Sequence, residues 1–186
     1  MPLGEDMLSL KERPGYLRLK GRESLNSRFL QSLTARRQQS FCYTATTCLE
    51  FEPDIYKQSA GLICMYDNQN YFYVQVTYDE ESGGKCITII SGDNGQTKYL
   101  LDKNVCIEGC KRVYFKVIVD YDLLQFYYST NEIEWIKIGP ICDASQLSDE
   151  YCKIGRFTGA FVGICCQDLT GLSKNADFDY FEYIEN

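Results

Sequence analysis

Histidine is absent from all 186 residues of the chain. That single gap excludes a Ser-His-Asp or Cys-His nucleophile system and leaves acid–base chemistry to carboxylates, lysine or tyrosine. It also excludes a mixed cysteine–histidine zinc site. Ten cysteines are present but no CxxC pair, so an all-cysteine zinc site lacks its usual spacing. No stretch of about 18 consecutive apolar residues occurs, which argues against a membrane span. The N-terminus carries Glu5 and Asp6 and has no basic segment followed by an apolar run, so nothing there reads as a secretion signal. The expected compartment is the cytoplasm, and the cysteines are therefore read as free, buried thiols. The vicinal pair Cys165-Cys166 reads as two small strand residues rather than a redox switch. Positive charge is scarce as well. With 19 Lys and Arg against 26 Asp and Glu, the net charge is -7, and no basic face is available for nucleic acid. Arg22, Arg28, Arg36 and Arg37 form the only basic concentration, suited to pairing with acidic strand faces or a partner domain.

What the chain does have is aromatic rings: 15 Tyr, 10 Phe and 1 Trp. Together with scattered Val, Ile and Thr they favour strands. A chain of this length buries roughly 70% of its unfolded surface and needs no metal or disulfide to fold. Residues 1–12 read as a polar leader and 13–186 as one domain. Short strands are expected at 17–20 and 32–38. A long half-buried strand follows over 41–52, where Tyr43, Ala45, Thr47 and Leu49 alternate with polar residues until Pro53 stops it. Strands at 60–66 and 71–79 flank the turn residues Asp67 to Asn70. Those at 85–91 and 97–101 flank Asp93-Asn94-Gly95. Further strands are predicted over 113–119, 124–128, 133–138, 157–166 and 176–184, with one helical turn near Asp143. Trp135, on the same strand face as Ile133, is expected in the core. Many short strands with almost no helical periodicity predict an all-β sandwich or barrel.

Three groups could carry chemistry. Glu50 and Glu52 alternate on one strand, about 7 Å apart, a spacing open to glycosidase carboxylates or to a solvated strand face. Asp177 and Asp179 also share a face and could hold a hard cation or form a hydrogen-bonded structural pair. Tyr66, Tyr71 and Tyr73, beside the Asp67 turn, could form a platform for the apolar face of a sugar or cross-strand packing pairs.

The segments Pro14 to Leu25, Ala35 to Gln38, Leu49 to Pro53, Gln58 to Leu62, Leu147 to Tyr151, Phe157 to Gly163 and Ala176 to Phe181 keep their order along nearly the whole chain. Together they resemble the C-terminal domain of family 43 glycoside hydrolase β-xylosidases. The resemblance implies a concanavalin-like jelly-roll sandwich of two antiparallel sheets. It implies an accessory role beside a five-bladed catalytic propeller, which this sequence lacks, with xylo-oligosaccharide-type sugars as substrates and a possible homo-oligomer. By motif, Phe157 matches a loop phenylalanine lent to the sugar pocket. No cofactor is required; calcium occurs in some relatives, and Asp179 matches its ligand position. Free-standing lectin-like sugar binding is the alternative, and an autonomous glycosidase built on Glu50 and Glu52 is a third reading.

Overall fold

The computed structural model describes residues 7–27, 29–153 and 158–186. Fourteen strands appear among them: β1 (Leu8–Ser9), β2 (Leu17–Lys20), β3 (Ser32–Arg37), β4 (Cys42–Glu50), β5 (Gln58–Met65), β6 (Tyr71–Asp79), β7 (Gly84–Asp93), β8 (Gln96–Tyr99), β9 (Val105–Cys106), β10 (Arg112–Asp120), β11 (Leu123–Ser129), β12 (Ile136–Asp143), β13 (Phe161–Asp168) and β14 (Asn175–Glu185). They form two antiparallel sheets. The first has the order β1-β2-β14-β4-β10-β11-β12; the second runs β3-β13-β5-β6-β7-β8, with β9 also paired to β7. A short 3-10 helix, Ala144–Leu147, begins where Asp143 caps the Ser145 amide, at the helical turn read from sequence.

Period two decides the core. On β4, Tyr43, Ala45 and Leu49 face inward; on β10, Val113, Phe115, Val117 and Val119 do so; on β5 and β6, Ala60, Leu62, Val74 and Val76 oppose them. The hairpins close as their turn residues require. Asp67 Oδ1 accepts from the amides of Gln69 and Asn70, both at 2.8 Å. Asn94 and Gly95 both adopt positive φ, 47° and 87°, the two-residue turn that matches strand twist.

The structure corrects several expectations. The described end of the supposed leader joins the first sheet: β1 pairs β2, and Met7 O accepts from Lys20 N at 2.9 Å. The strand expected over 133–138 starts only at Ile136. Trp135 precedes it and is half-buried rather than in the core, with Lys116 Nζ 4.0 Å above its ring. The strand expected from residue 157 starts at Phe161. Glu50 ends β4, so Glu52 leaves the shared face.

The second sheet is covered twice over part of its area. Besides the main core, a smaller apolar cluster on its outer face joins Leu25 to Ile63, Met65, Tyr71, Tyr73 and Cys165. Leu25 is anchored there by its amide, 3.1 Å from Gln167 Oε1. The vicinal cysteines divide between the two layers, Cys166 in the main core and Cys165 in the smaller cluster. All ten cysteines are unpaired, seven of them buried. Burial pushes Cys48, Cys142 and Cys152 up to about 11, and Cys64, Cys86 and Cys165 up to about 12. Thiol titration of the native protein is expected to label exposed Cys106 quickly, half-buried Cys42 and Cys110 more slowly, and the other seven only after denaturation. Ten thiols should then react without reductant. Fast labelling of a buried site in native buffer would contradict this packing.

Candidate functional site

Start with the acidic residues. On β14 a register shift between Phe178 and Tyr180 makes Asp179 an extra residue, so it no longer follows Asp177 in the ladder. Asp177 instead stands opposite Glu50 on β4. Two carboxylates face each other there, and cations resolve the repulsion. Arg13 bridges them, at 2.8 Å from Glu50 Oε2 and 2.7 Å from Asp177 Oδ2. Arg18 grips Asp177 with two bonds, at 2.7 and 2.9 Å. Arg112 adds a bond to Glu50 at 3.1 Å. Burial pushes both carboxyls up, but the guanidinium hydrogen bonds and charges outweigh it and hold both below their ordinary values.

This cluster is structural. Glu52 pairs with Lys85 at 2.8 Å, away from Glu50, so the two do not form a carboxylate pair around one substrate. Asp179 faces the Arg112 guanidinium at 3.3 Å. Calcium takes six to eight oxygen ligands; among the described residues no three His, Cys, Asp or Glu side chains converge on one point. The surroundings of Asp179 therefore do not fit that ion. A carboxyl held below its unfolded value adds stability above an unfolded pKa of about 4, and that stability is lost as pH falls through the folded value. Asp177→Asn is expected to lower Tm at neutral pH by about 5 °C, corresponding to about 2 kcal/mol. It should also flatten the fall of Tm below about pH 4. Thermal melts across pH 2–7 read both; an unchanged acid limb would remove Asp177 from the account.

The three tyrosines expected as a sugar platform are buried. Tyr66 packs in the main core, while Tyr71 and Tyr73 lie in the cluster beneath Leu25. Tyr73 donates to Cys165 O at 3.1 Å. The turn chemistry is legible in the sequence, but the covering segment is not. Tyr66 ties residues on either side of 154–157. Its hydroxyl donates to Asp149 and accepts from the Thr158 amide at 3.4 Å. On the other side, Tyr151 donates to Asp93 at 3.0 Å, and the Lys153 amide to Asn94 Oδ1 at 3.1 Å. Asp149, Tyr151, Lys153 and Thr158 are thus tied to one end of the second sheet. Phe157 itself, with residues 154–156, lies outside the described residues, as does Arg28. Of the other arginines in that basic group, Arg36 lies 3.9 Å over the Tyr183 ring and Arg37 is 4.9 Å over Phe161.

Beside this loop opens a cavity of about 580 Å³ between Gln38–Phe41, Tyr121, Asp122, the 3-10 helix and Ala160. Phe41 and Tyr121 stand at its rim, 71% and 67% exposed, with near-parallel rings 6.4 Å apart. Tyr121 holds a positive φ of 53°, a backbone region that bulky side chains seldom adopt. The Tyr121 amide donates to Phe41 O at 2.9 Å, which keeps the pair together. Sequence reasoning misses both rings; the Tyr121-Asp122 turn between two alternating strands is the available signal. No helix among the described residues is long and apolar enough to cross a membrane.

Fold and site define a concanavalin-like β-sandwich in which arginines hold Glu50 and Asp177 and an aromatic rim borders a cavity. The family model for the β-xylosidase C-terminal concanavalin A-like domain matches residues 1–184, and the chain belongs to that family. It is 40% identical over its whole length to a β-xylosidase of Bacillus subtilis, of which it covers 35%. It is 38% identical, again over its whole length, to a xylan 1,3-β-xylosidase of a Vibrio species, covering 34% of it. Among solved structures, the xylan β-1,4-xylosidase of Bacillus halodurans superposes with a TM-score of 0.95 at 43% identity, over all of this chain and 35% of that one. The chain thus spans about a third of the length of these relatives.

Tyr66→Phe is expected to cost about 1–2 kcal/mol by removing the hydroxyl's hydrogen bonds with Asp149 and the Thr158 amide, and to raise hydrogen exchange at Thr158. Tyr121→Gly should do the opposite to stability, raising Tm slightly by relieving the positive φ. Protection at Thr158 unchanged in Tyr66→Phe would show that the hydroxyl does not anchor the loop.

Proposed function

We propose that this chain is the non-catalytic sandwich of a β-xylosidase or arabinofuranosidase-type glycoside hydrolase and acts with a catalytic propeller on xylo-oligosaccharide-type sugars. The observation that carries this reading is the match of the entire chain to one third of β-xylosidase relatives. The remaining two thirds of those chains provide the stated partner. In this reading the propeller seats against the Phe41–Tyr121 rim and the loop tied by Tyr66, Asp93 and Asn94. The Phe157 ring then closes one side of the sugar pocket and keeps water from the reacting bond. Ten unpaired thiols in the structure support a reducing compartment, the cytoplasm.

Reconstitution tests the proposal. The catalytic portion of a xylosidase relative, expressed separately and mixed with this chain, is expected to gain activity on an aryl xyloside, whereas this chain alone releases no xylose. Phe157→Ala should leave Tm almost unchanged and lower the reconstituted activity by about tenfold or more. Replacing Tyr121 with Gly should weaken assembly without loss of fold. Release of xylose by the chain alone, abolished by Glu50→Gln with Glu52→Gln, would establish the autonomous glycosidase instead.

A further inference from the structure

Strand β9 lies along β7 at the edge of the second sheet, in the connection between β8 and β10. It is two residues long, and its register sets Cys106 opposite Cys86 and Val105 opposite Ile87. Ile87 is buried in the main core and Val105 packs against that core. Successive strand residues point to opposite faces, so the two cysteines share the outer face. Among the described strand ladders no other two cysteines stand opposite each other.

The type of pairing matters as much as the register. One residue beyond the cysteines, the Ile107 amide donates to Lys85 O at 3.0 Å. Hydrogen-bonded and non-hydrogen-bonded pairs alternate along an antiparallel ladder, so Cys86 and Cys106 form a non-hydrogen-bonded pair. In such a pair the Cα atoms lie roughly 4.5 Å apart and the side chains come closest. A disulfide takes Cα atoms about 4.4–6.8 Å apart, so a bridge here needs no change of register.

The two thiols differ in access. Cys106 is exposed, while Cys86, between Thr77 on β6 and Cys106 on β9, is 1% exposed. Burial, then the Asp79 carboxylate and the Cys106 sulfur, push the Cys86 thiol up to about 12. A small oxidant therefore meets Cys106 first, with Cys86 held beside it as a protonated thiol. Half-buried Cys42 has Asp120 rather than a cysteine across its ladder, and Cys165 and Cys166 lie in separate layers.

We propose that Cys86 and Cys106 are a redox pair that hydrogen peroxide converts into a cross-strand disulfide, Cys106 being the reacting thiol and Cys86 the resolving one. The Cys106 thiolate attacks one peroxide oxygen and the O–O bond breaks. Cys106 becomes a sulfenic acid, and the departing hydroxide takes up the thiol proton as water. The Cys86 thiol then gives up its proton as its sulfur attacks the Cys106 sulfur; the S–O bond breaks and a second water leaves. The two thiols lose two electrons in all, and one peroxide is reduced to two waters. The bridge closes a loop of about 20 residues and staples β9 to the sheet edge. A dithiol reductant reverses it by exchange. The pair needs no catalytic partner, so its failure would leave the accessory reading intact.

The test is peptide mapping of the reduced full chain before and after brief exposure to hydrogen peroxide, with alkylation under denaturing conditions. Trypsin cuts after Lys85, Lys98, Lys103 and Lys111. Segments 86–98 and 104–111 are expected to emerge joined, with Cys106 in the link and Cys110 alkylated. The thiol count should fall by two and return to ten with dithiothreitol. Tm should rise by about 5 °C in the bridged protein. Cys106→Ser, at an exposed position, should abolish both the link and the rise in Tm. Cys86→Ser should leave Cys106 without a resolving thiol, so that it proceeds to the sulfinic acid. The wild-type map and Cys106→Ser decide the matter even if Cys86→Ser fails to fold. The proposal is overturned if the two segments stay separate, whether Cys106 is then unmodified or a sulfinic acid, or if Cys106 emerges joined to another cysteine.

Discussion

Coverage of the second sheet is the constraint on which the functional geography depends. One face of β5, β6 and β7 is buried against the first sheet over its whole length. The other face carries a second apolar cluster where Leu25 packs on it. Apolar burial is worth roughly 25 cal/mol per Å², so large rings on that half of the face are held inside, and Tyr71 and Tyr73 become core residues. Where that cluster ends, the same strands carry the buried polar residues Gln75, Thr77 and Thr88. A single boundary on one sheet thus separates structural tyrosines from a polar stretch.

The first sheet meets a different demand. β14 and β4 bring Asp177 and Glu50 directly opposite each other, an arrangement that would repel without cations between. Arg13, from the segment between β1 and β2, supplies one. The acidic groups that most resemble catalytic machinery are consumed in holding the sheet together. Large rings that stay at the surface include Phe41 and Tyr121. Tyr121 keeps a backbone conformation that glycine would adopt more easily, the kind of local strain found where a side chain serves something other than stability.

Much of the architecture is legible in the chain's residue order. Alternation in β4 and β10, the Asp67 and Asn94-Gly95 turns, and the scarcity of helical periodicity all report local physics, and local physics specifies strands and hairpins. The departures have equally definite causes. Trp135 lies outside the core because period two does not extend into residues that precede the strand. Asp177 and Asp179 lose their shared face to a bulge, which leaves no mark in the pattern of a single strand.

By itself the sequence determined an all-β sandwich, the absence of histidine chemistry, the order of most strands and, through its ordered motifs, the family. These depend on side-chain alternation, turn residues and composition, each readable within a few neighbours. Only the tertiary structure decided which tyrosines are hidden, which carboxylates are neutralised by which arginines, and where polar atoms stay unpaired. Each of these depends on residues far apart in the chain, such as Leu25 with Tyr73 or Arg13 with Asp177, and a one-dimensional pattern holds no distance between them.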